Sequence, residues 1–244
     1  MNMSYLLVLL LVFPELTWAQ NQDTFKVSTF VVKNKSEKKS STDLKRTTIF
    51  FYEDEKYTVD KTCNGEWGGN LYFKEKNTGK VYKCSSTCPV IINQVKGKYI
   101  VTNTLAHLRG SSQILEIENP KNLTEILSKP NSNKRKEVIM SFGSEERVVK
   151  GTKPIIDSVG IMTLGSFLYK DRLYHIVSND DRTYLATVHE NKFKTVQLIS
   201  EKSIWSYDPE MIKTEDNHYI YFFKNSKDEG YLDIYENQIN LYIY

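Results

Sequence analysis

The sequence predicts an all-β protein: a β-propeller-like ring of about five blades of antiparallel strands, with a β-sandwich or irregular double sheet as the alternative. Three observations carry this expectation. The stretch from Cys63 to Asn103 supplies about four β-prone runs and no helix. A turn–strand–asparagine pattern occurs three times, first at the end of that stretch and twice further along the chain. The 16 tyrosines and 11 phenylalanines are broad rings of the kind that fill the wedge between twisted sheets.

The organising stretch reads as two hairpins. Asn70-Leu71-Tyr72-Phe73 and Lys80-Val81-Tyr82-Lys83 flank Asn77-Thr78-Gly79, where asparagine and glycine tolerate the positive φ of a short loop. Val90-Ile91-Ile92 and Tyr99-Ile100-Val101 flank Lys96-Gly97-Lys98 in the same way. Gly65, Gly68 and Gly69 surround Glu66-Trp67 and mark a tight turn or a close backbone approach.

Before it, residues 1–19 read as a secretory signal peptide. Leu6 to Phe13 is an unbroken apolar run, too short to span a bilayer about 30 Å thick, and Thr17-Trp18-Ala19 offers a cleavage point, although the usual basic start is missing. Residues 20–46 follow as an N-terminal strand around Phe25, Val27 and Phe30-Val31-Val32, then a polar linker rich in lysine and serine. Residues 47–244 read as one all-β repeat domain. It opens with a strand at Thr47-Thr48-Ile49-Phe50-Phe51-Tyr52 and a partner at Tyr57-Thr58-Val59, across an acidic turn.

Beyond Asn103, residues 104–110 read as a loop, Ile114-Leu115-Glu116-Ile117 as a strand, and 129–137 as a second linker. Hairpin-like runs continue around Gly143-Ser144 and from Pro154 to Leu164. The repeated pattern is Gly97 to Asn103, Asp171 to Asn179 and Asn217 to Asn225, each followed by a second strand at 114–117, 184–188 or 231–235. The last two units also have closing strands at 193–199 and 239–244. Asn179 and Asn225 lie 46 residues apart, close to a blade period of about 45, whereas Asn103 and Asn179 are 76 apart. The uncharged run Ile239-Asn240-Leu241-Tyr242-Ile243-Tyr244 would aggregate as a free edge. It is therefore expected to pair, in one sheet with an N-terminal strand from 25–32 or 47–52.

The formal charge is +3, or +4 once Glu15 leaves with the signal peptide. The basic run Lys134-Arg135-Lys136 has no interleaved aromatics and reads as a solvated loop, so no nucleic-acid partner is implied. No segment after the leader approaches the roughly 20 apolar residues of a membrane-spanning helix, so the mature chain is expected to be soluble, and the leader points to a secreted or periplasmic setting.

Three cysteines allow one bridge and leave one thiol. Cys84 and Cys88 are separated by Ser-Ser-Thr, and a turn there would bring them together. Cys63 would sit two strands from Cys84, roughly 9–10 Å away and beyond disulfide reach. The expected bridge is Cys84–Cys88. A zinc site from Cys63, Cys84, Cys88 and His107 has no standard spacing, and no metal or cofactor is expected.

No serine elbow, phosphate loop or paired-histidine motif is present in the sequence. The candidate ligand-binding residues are Glu66, Trp67, Asn103, His107 and Arg109. Glu66 beside Trp67 pairs a carboxylate with an aromatic platform, which suits a sugar ring. The structural alternative is that Trp67 packs between blades while Glu66 caps a turn. Asp157, Asp180, Asp181 and Asp208 are the other carboxylates weighed for a glycosidase pair. His175 and His218 fall in repeated strand units and read as structural.

Cys63-Asn64-Gly65-Glu66-Trp67-Gly68-Gly69, Thr87-Cys88-Pro89, Thr102-Asn103 and Leu105-Ala106-His107 give the 63–107 segment a further significance. The segment is similar to a group of secreted bacterial proteins of unassigned activity. That resemblance implies a secreted bacterial context and adds no chemistry. The expectation from all of this is a binding or scaffolding module for an extracellular ligand, glycan or protein, with a carbohydrate-active enzyme using Glu66 as the alternative.

Overall fold

The computed structural model describes residues 25–126 and 148–244. Eighteen strands are assigned among them: β1 (Lys26–Val31), β2 (Tyr52–Glu53), β3 (Tyr57–Lys61), β4 (Asn70–Glu75), β5 (Val81–Ser85), β6 (Pro89–Val95), β7 (Lys98–Leu105), β8 (Ser111–Ile117), β9 (Thr124–Ile126), β10 (Thr152–Val159), β11 (Met162–Tyr169), β12 (Arg172–Ser178), β13 (Thr183–His189), β14 (Lys192–Ser200), β15 (Glu210–Lys213), β16 (Tyr219–Lys224), β17 (Glu229–Tyr235) and β18 (Gln238–Ile243). They form four sheets. Sheet I has the order β2-β3-β4-β5-β9, sheet II β10-β8-β7-β6, sheet III β11-β12-β13-β14, and sheet IV β1-β18-β17-β16-β15.

The protein is all-β, and each sheet is built chiefly from consecutive antiparallel strands. Short local turns make this possible. Lys96-Gly97, Lys170-Asp171 and Glu190-Asn191 are two-residue hairpin loops in which both residues have positive φ, so their twist matches that of the flanking strands. Asn179 and Asn225 each begin an equivalent turn, their side-chain carbonyls accepting the amides two and three residues on.

Alternation along the strands sends apolar side chains to both faces of the inner sheets. Tyr99, Val101, Leu115 and Ile117 of sheet II pack with Val59, Leu71, Phe73 and Tyr82 of sheet I. The opposite face of sheet II offers Ile100, Ile114 and Ile156 to Leu173, Val188 and Phe193 of sheet III. Sheet III then buries Leu164, Phe167, Ile176 and Leu185 against Tyr221, Leu232, Ile234 and Leu241 of sheet IV. The four sheets therefore pack in chain order. β11 also lies against β6, β7 and β16, and β15 against β6.

The chain end is paired as the sequence suggested. β18 takes β17 on one side and β1 on the other, β1 running parallel to it from Lys26↔Gln238 to Val31↔Ile243. Phe25, just before β1, is buried among Phe167, Tyr169 and Tyr174. Gln197 of sheet III bonds both the amide and the carbonyl of Phe25. An N-terminal strand thus completes the last sheet.

Several expectations are corrected. The sheets number four among the described residues, against about five expected blades. The wide spacing between Asn103 and Asn179 is an insertion between β8 and β10, which sends β9 to sheet I. Of the 47–52 run, only Tyr52 enters a strand. Asn103 does not end its strand as Asn179 and Asn225 do; it lies inside β7 and is buried. The signal peptide at 1–19, the basic run at 134–136 and the turn at Gly143-Ser144 lie outside the described residues. Among the described residues, no helix is long and apolar enough to cross a membrane.

The bridge is Cys63–Cys88, not Cys84–Cys88. Cys84 faces inward from β5, opposite Leu71, and is fully buried in the core between sheets I and II. Its side chain therefore points away from the turn that carries Cys88. Cys88 has φ 48° in the 86–88 connection, and its Cα lies 4.4 Å from that of Cys63, just past β3.

Candidate functional site

Within each antiparallel sheet, the connection from second to third strand and the exit from the fourth lie at the same end. In sheets I and II these are the 62–69 loop, the 86–88 connection, the 106–110 loop and the 160–161 connection. The structure ties them together. Cys63 is bonded to Cys88. Glu66 Oε2 stands 3.0 Å from His107 Nδ1. The amide of Thr104 donates to Cys88 O at 3.2 Å, and that of Gly160 to Gly110 O at 2.9 Å.

The 62–69 loop takes its shape from local chemistry. Gly65, Glu66 and Trp67 form a 3-10 turn, closed when the Gly68 amide donates to Gly65 O. Gly68 has φ 89°, which a residue with a Cβ rarely adopts. At Gly69 a Cβ would collide with the carbonyls of Thr62 and Ser86, so only glycine lets the loop lie against the 86–88 connection. The result is a pinned loop with Trp67 at its tip.

Trp67 is 86% exposed, which overturns the alternative that it packs between sheets. Glu66 serves His107 instead of capping a turn, and both side chains are half exposed. A neutral imidazole makes this contact as an Nδ1–H donor and an imidazolium makes it as an ion pair; on an exposed surface either is worth less than about 1 kcal/mol. The pair acts as a spacer between the two loops. Leu108 follows at φ 54° and 93% exposure, with Arg109 exposed beside it.

Asn103 lies beneath this surface. Its Oδ1 accepts a hydrogen bond from Ser86 Oγ at 2.6 Å, and its Nδ2 donates to Gln113 Oε1 at 3.5 Å. It anchors the 86–88 connection to β7 and does not reach solvent. Of the candidate residues, Glu66, Trp67, His107 and Arg109 therefore share one face, and Asn103 supports it. Cys84 is remote from that face in function: burial pushes its thiol up to about 12. Leu108 has no signal in the sequence, because a leucine in an irregular loop carries no periodicity.

The other carboxylates are engaged elsewhere. Gln113 Nε2 approaches Asp157 at 3.5 Å, Asp208 faces Lys61 at 3.6 Å, and Asp180 and Asp181 lie in the turn begun by Asn179. Among the described residues, no three histidine, cysteine, aspartate or glutamate side chains group as metal ligands. His175 is fully buried on β12, and His218 is held by Asp233 at 2.6 Å.

Comparison of the chain with protein-family models, curated proteins and solved structures finds no match.

Proposed function

We propose that this chain is a secreted or periplasmic binding module, a single propeller-like unit of four blades that engages an extracellular ligand through the loop end of sheets I and II. The observation that carries the reading is the display of Trp67 and Leu108 on adjacent loops that a disulfide and the Glu66–His107 contact hold in place. Large apolar side chains presented on pinned loops mark contact surfaces, because the ordering cost of binding has already been met in folding. Leu108 adds weight, since a left-handed leucine at this exposure is strained by about 1 kcal/mol and gains nothing from packing.

Two features support the propeller reading. The sheets follow one another in chain order, with β6 in contact with both β11 and β15, and β1 completes the last sheet beside β18. The Cys63–Cys88 bridge suits an oxidising compartment, in keeping with a leader at 1–19. The resemblance of 63–107 to secreted bacterial proteins is consistent with that setting.

A flat indole flanked by Glu66, His107 and Arg109 fits a glycan, with the ring stacking on a sugar face and the polar groups bonding hydroxyls. A glycan array probed with the wild type, Trp67→Ala and Glu66→Gln tests this. Binding lost in Trp67→Ala, with the sugar unchanged after incubation, is the expected result. Turnover of the bound sugar that disappears in Glu66→Gln while binding survives would establish the enzyme alternative instead.

A further inference from the structure

Sheets III and IV border a half-open pocket of about 320 Å³ at the end opposite their second-to-third-strand connections, beside the 170–171, 214–218 and 236–237 turns. Its lining residues include the aromatics Phe167, Tyr169, Tyr219 and Tyr235 and the acids Asp216 and Glu236. No lysine, arginine or histidine lines it. That inventory is wrong for an anion and right for a cation, because ring faces and carboxylates all present negative potential.

Two of these rings already carry a lysine of the protein over one face, so a bound cation would use the remaining face or displace it. Lys170 Nζ stands 5.0 Å over the Tyr169 ring, and Lys213 Nζ stands 5.2 Å over the Tyr219 ring. Tyr235 is backed by His218, stacked on one of its faces at 4.5 Å and 18°. His218 is in turn held between Asp233, 2.6 Å from Nδ1, and Asp216, 3.5 Å from Nε2. The chain Asp233–His218–Asp216 therefore positions both an aromatic and an acid of the pocket lining. On the floor, Phe167 and Ile234 are buried in the core that joins sheets III and IV.

We propose that this pocket binds an organic ammonium group: the rings take its N-bound carbons and charge, and Asp216 and Glu236 neutralise it. The size falls at the lower end of small-ligand sites, which suits a compact quaternary or primary ammonium head. The two sources of such a group are a free small amine and the side chain of a lysine in a partner peptide. The site is independent of the loop-end reading, so either can fail without the other.

The test is titration of the full chain, by NMR of the tyrosine ring resonances, with choline, with its uncharged carbon isostere 3,3-dimethylbutanol, and with a short peptide containing trimethyllysine. Saturable shifts with choline, at least about tenfold weaker with the isostere, are expected. A peptide that binds more tightly than choline assigns the ammonium to a partner chain; a weaker one assigns it to a free amine. Glu236→Gln, an exposed substitution that leaves the fold intact, should weaken choline about fivefold, and Lys213→Gln should tighten it by removing a competing charge. Equal binding of choline and isostere, no saturation by either cation, or weaker binding in Lys213→Gln would overturn the proposal.

Discussion

Tyr221 of sheet IV donates its hydroxyl to the carbonyl of Ser166 on β11 at 2.7 Å, across the junction of two sheets. The same carbonyl accepts Asn93 Nδ2 from sheet II at 3.2 Å, and the Ser166 hydroxyl meets Thr102 Oγ1 at 2.6 Å. One residue of sheet III is thus bonded to both neighbouring sheets at the centre of the molecule. Gly165 makes room for it, since a Cβ there would run into the Tyr221 ring.

Gly165→Ala should therefore destabilise the fold by about 3 kcal/mol, because the ring is fully buried and cannot move aside. Tyr221→Phe should cost only about 1 kcal/mol, because Asn93 still bonds the carbonyl. Urea unfolding of the two variants checks the order; a larger loss for Tyr221→Phe would mean that the hydrogen bond, not the packing, dominates this junction.

The Cys63–Cys88 bridge closes a segment of 25 residues and should stabilise the folded chain by about 3 kcal/mol. Replacing both cysteines with serine tests that figure by thermal or denaturant unfolding. Thiol counting supplies a second check. The native protein should show no thiol reactive toward a disulfide reagent, and the denatured, unreduced protein should show one, Cys84, whose burial holds the thiol protonated.

His175 makes stability depend on acid. Burial lowers its imidazole from 6.5 to about 3, and its Nδ1 has no hydrogen-bond partner. Below pH 6.5 the unfolded chain takes up a proton that the folded protein refuses. This residue's contribution to stability should then fall by roughly 1.4 kcal/mol per pH unit down to about pH 3, and be constant above pH 7. Carboxylates titrate in the same window, so the measurement is the difference between wild type and His175→Leu as a function of pH. Parallel curves would show that the imidazole is not the sensor.

Removing residues 239–244 deletes nearly all of β18 and strips β1 and β17 of their shared partner. It also exposes Leu232, Ile234 and Phe25. The truncated chain should be insoluble or unfold at a much lower temperature. A soluble truncation of equal stability would show that the terminal pairing contributes little.

Much of the architecture is legible in local sequence. Alternating β-prone runs around Gly79 and Gly97 determine the hairpins β4–β5 and β6–β7, since strand period and turn chemistry act over a few residues. The units ending at Asn179 and Asn225 emerge for the same reason, and the apolar run at 239–244 announces a strand that needs a partner. Tertiary structure alone decided the rest. The choice of Cys88 by Cys63 depends on which face of β5 is buried, and that is settled by sheet II packing on Cys84. The number of sheets depends on an insertion whose strand β9 leaves for another sheet. The meeting of Glu66 with His107, and of Tyr169, Tyr219 and Tyr235 around one pocket, brings together residues far apart in the chain. Such meetings have no local signature, because they are fixed by how neighbouring sheets stack and not by the propensities of the residues that meet.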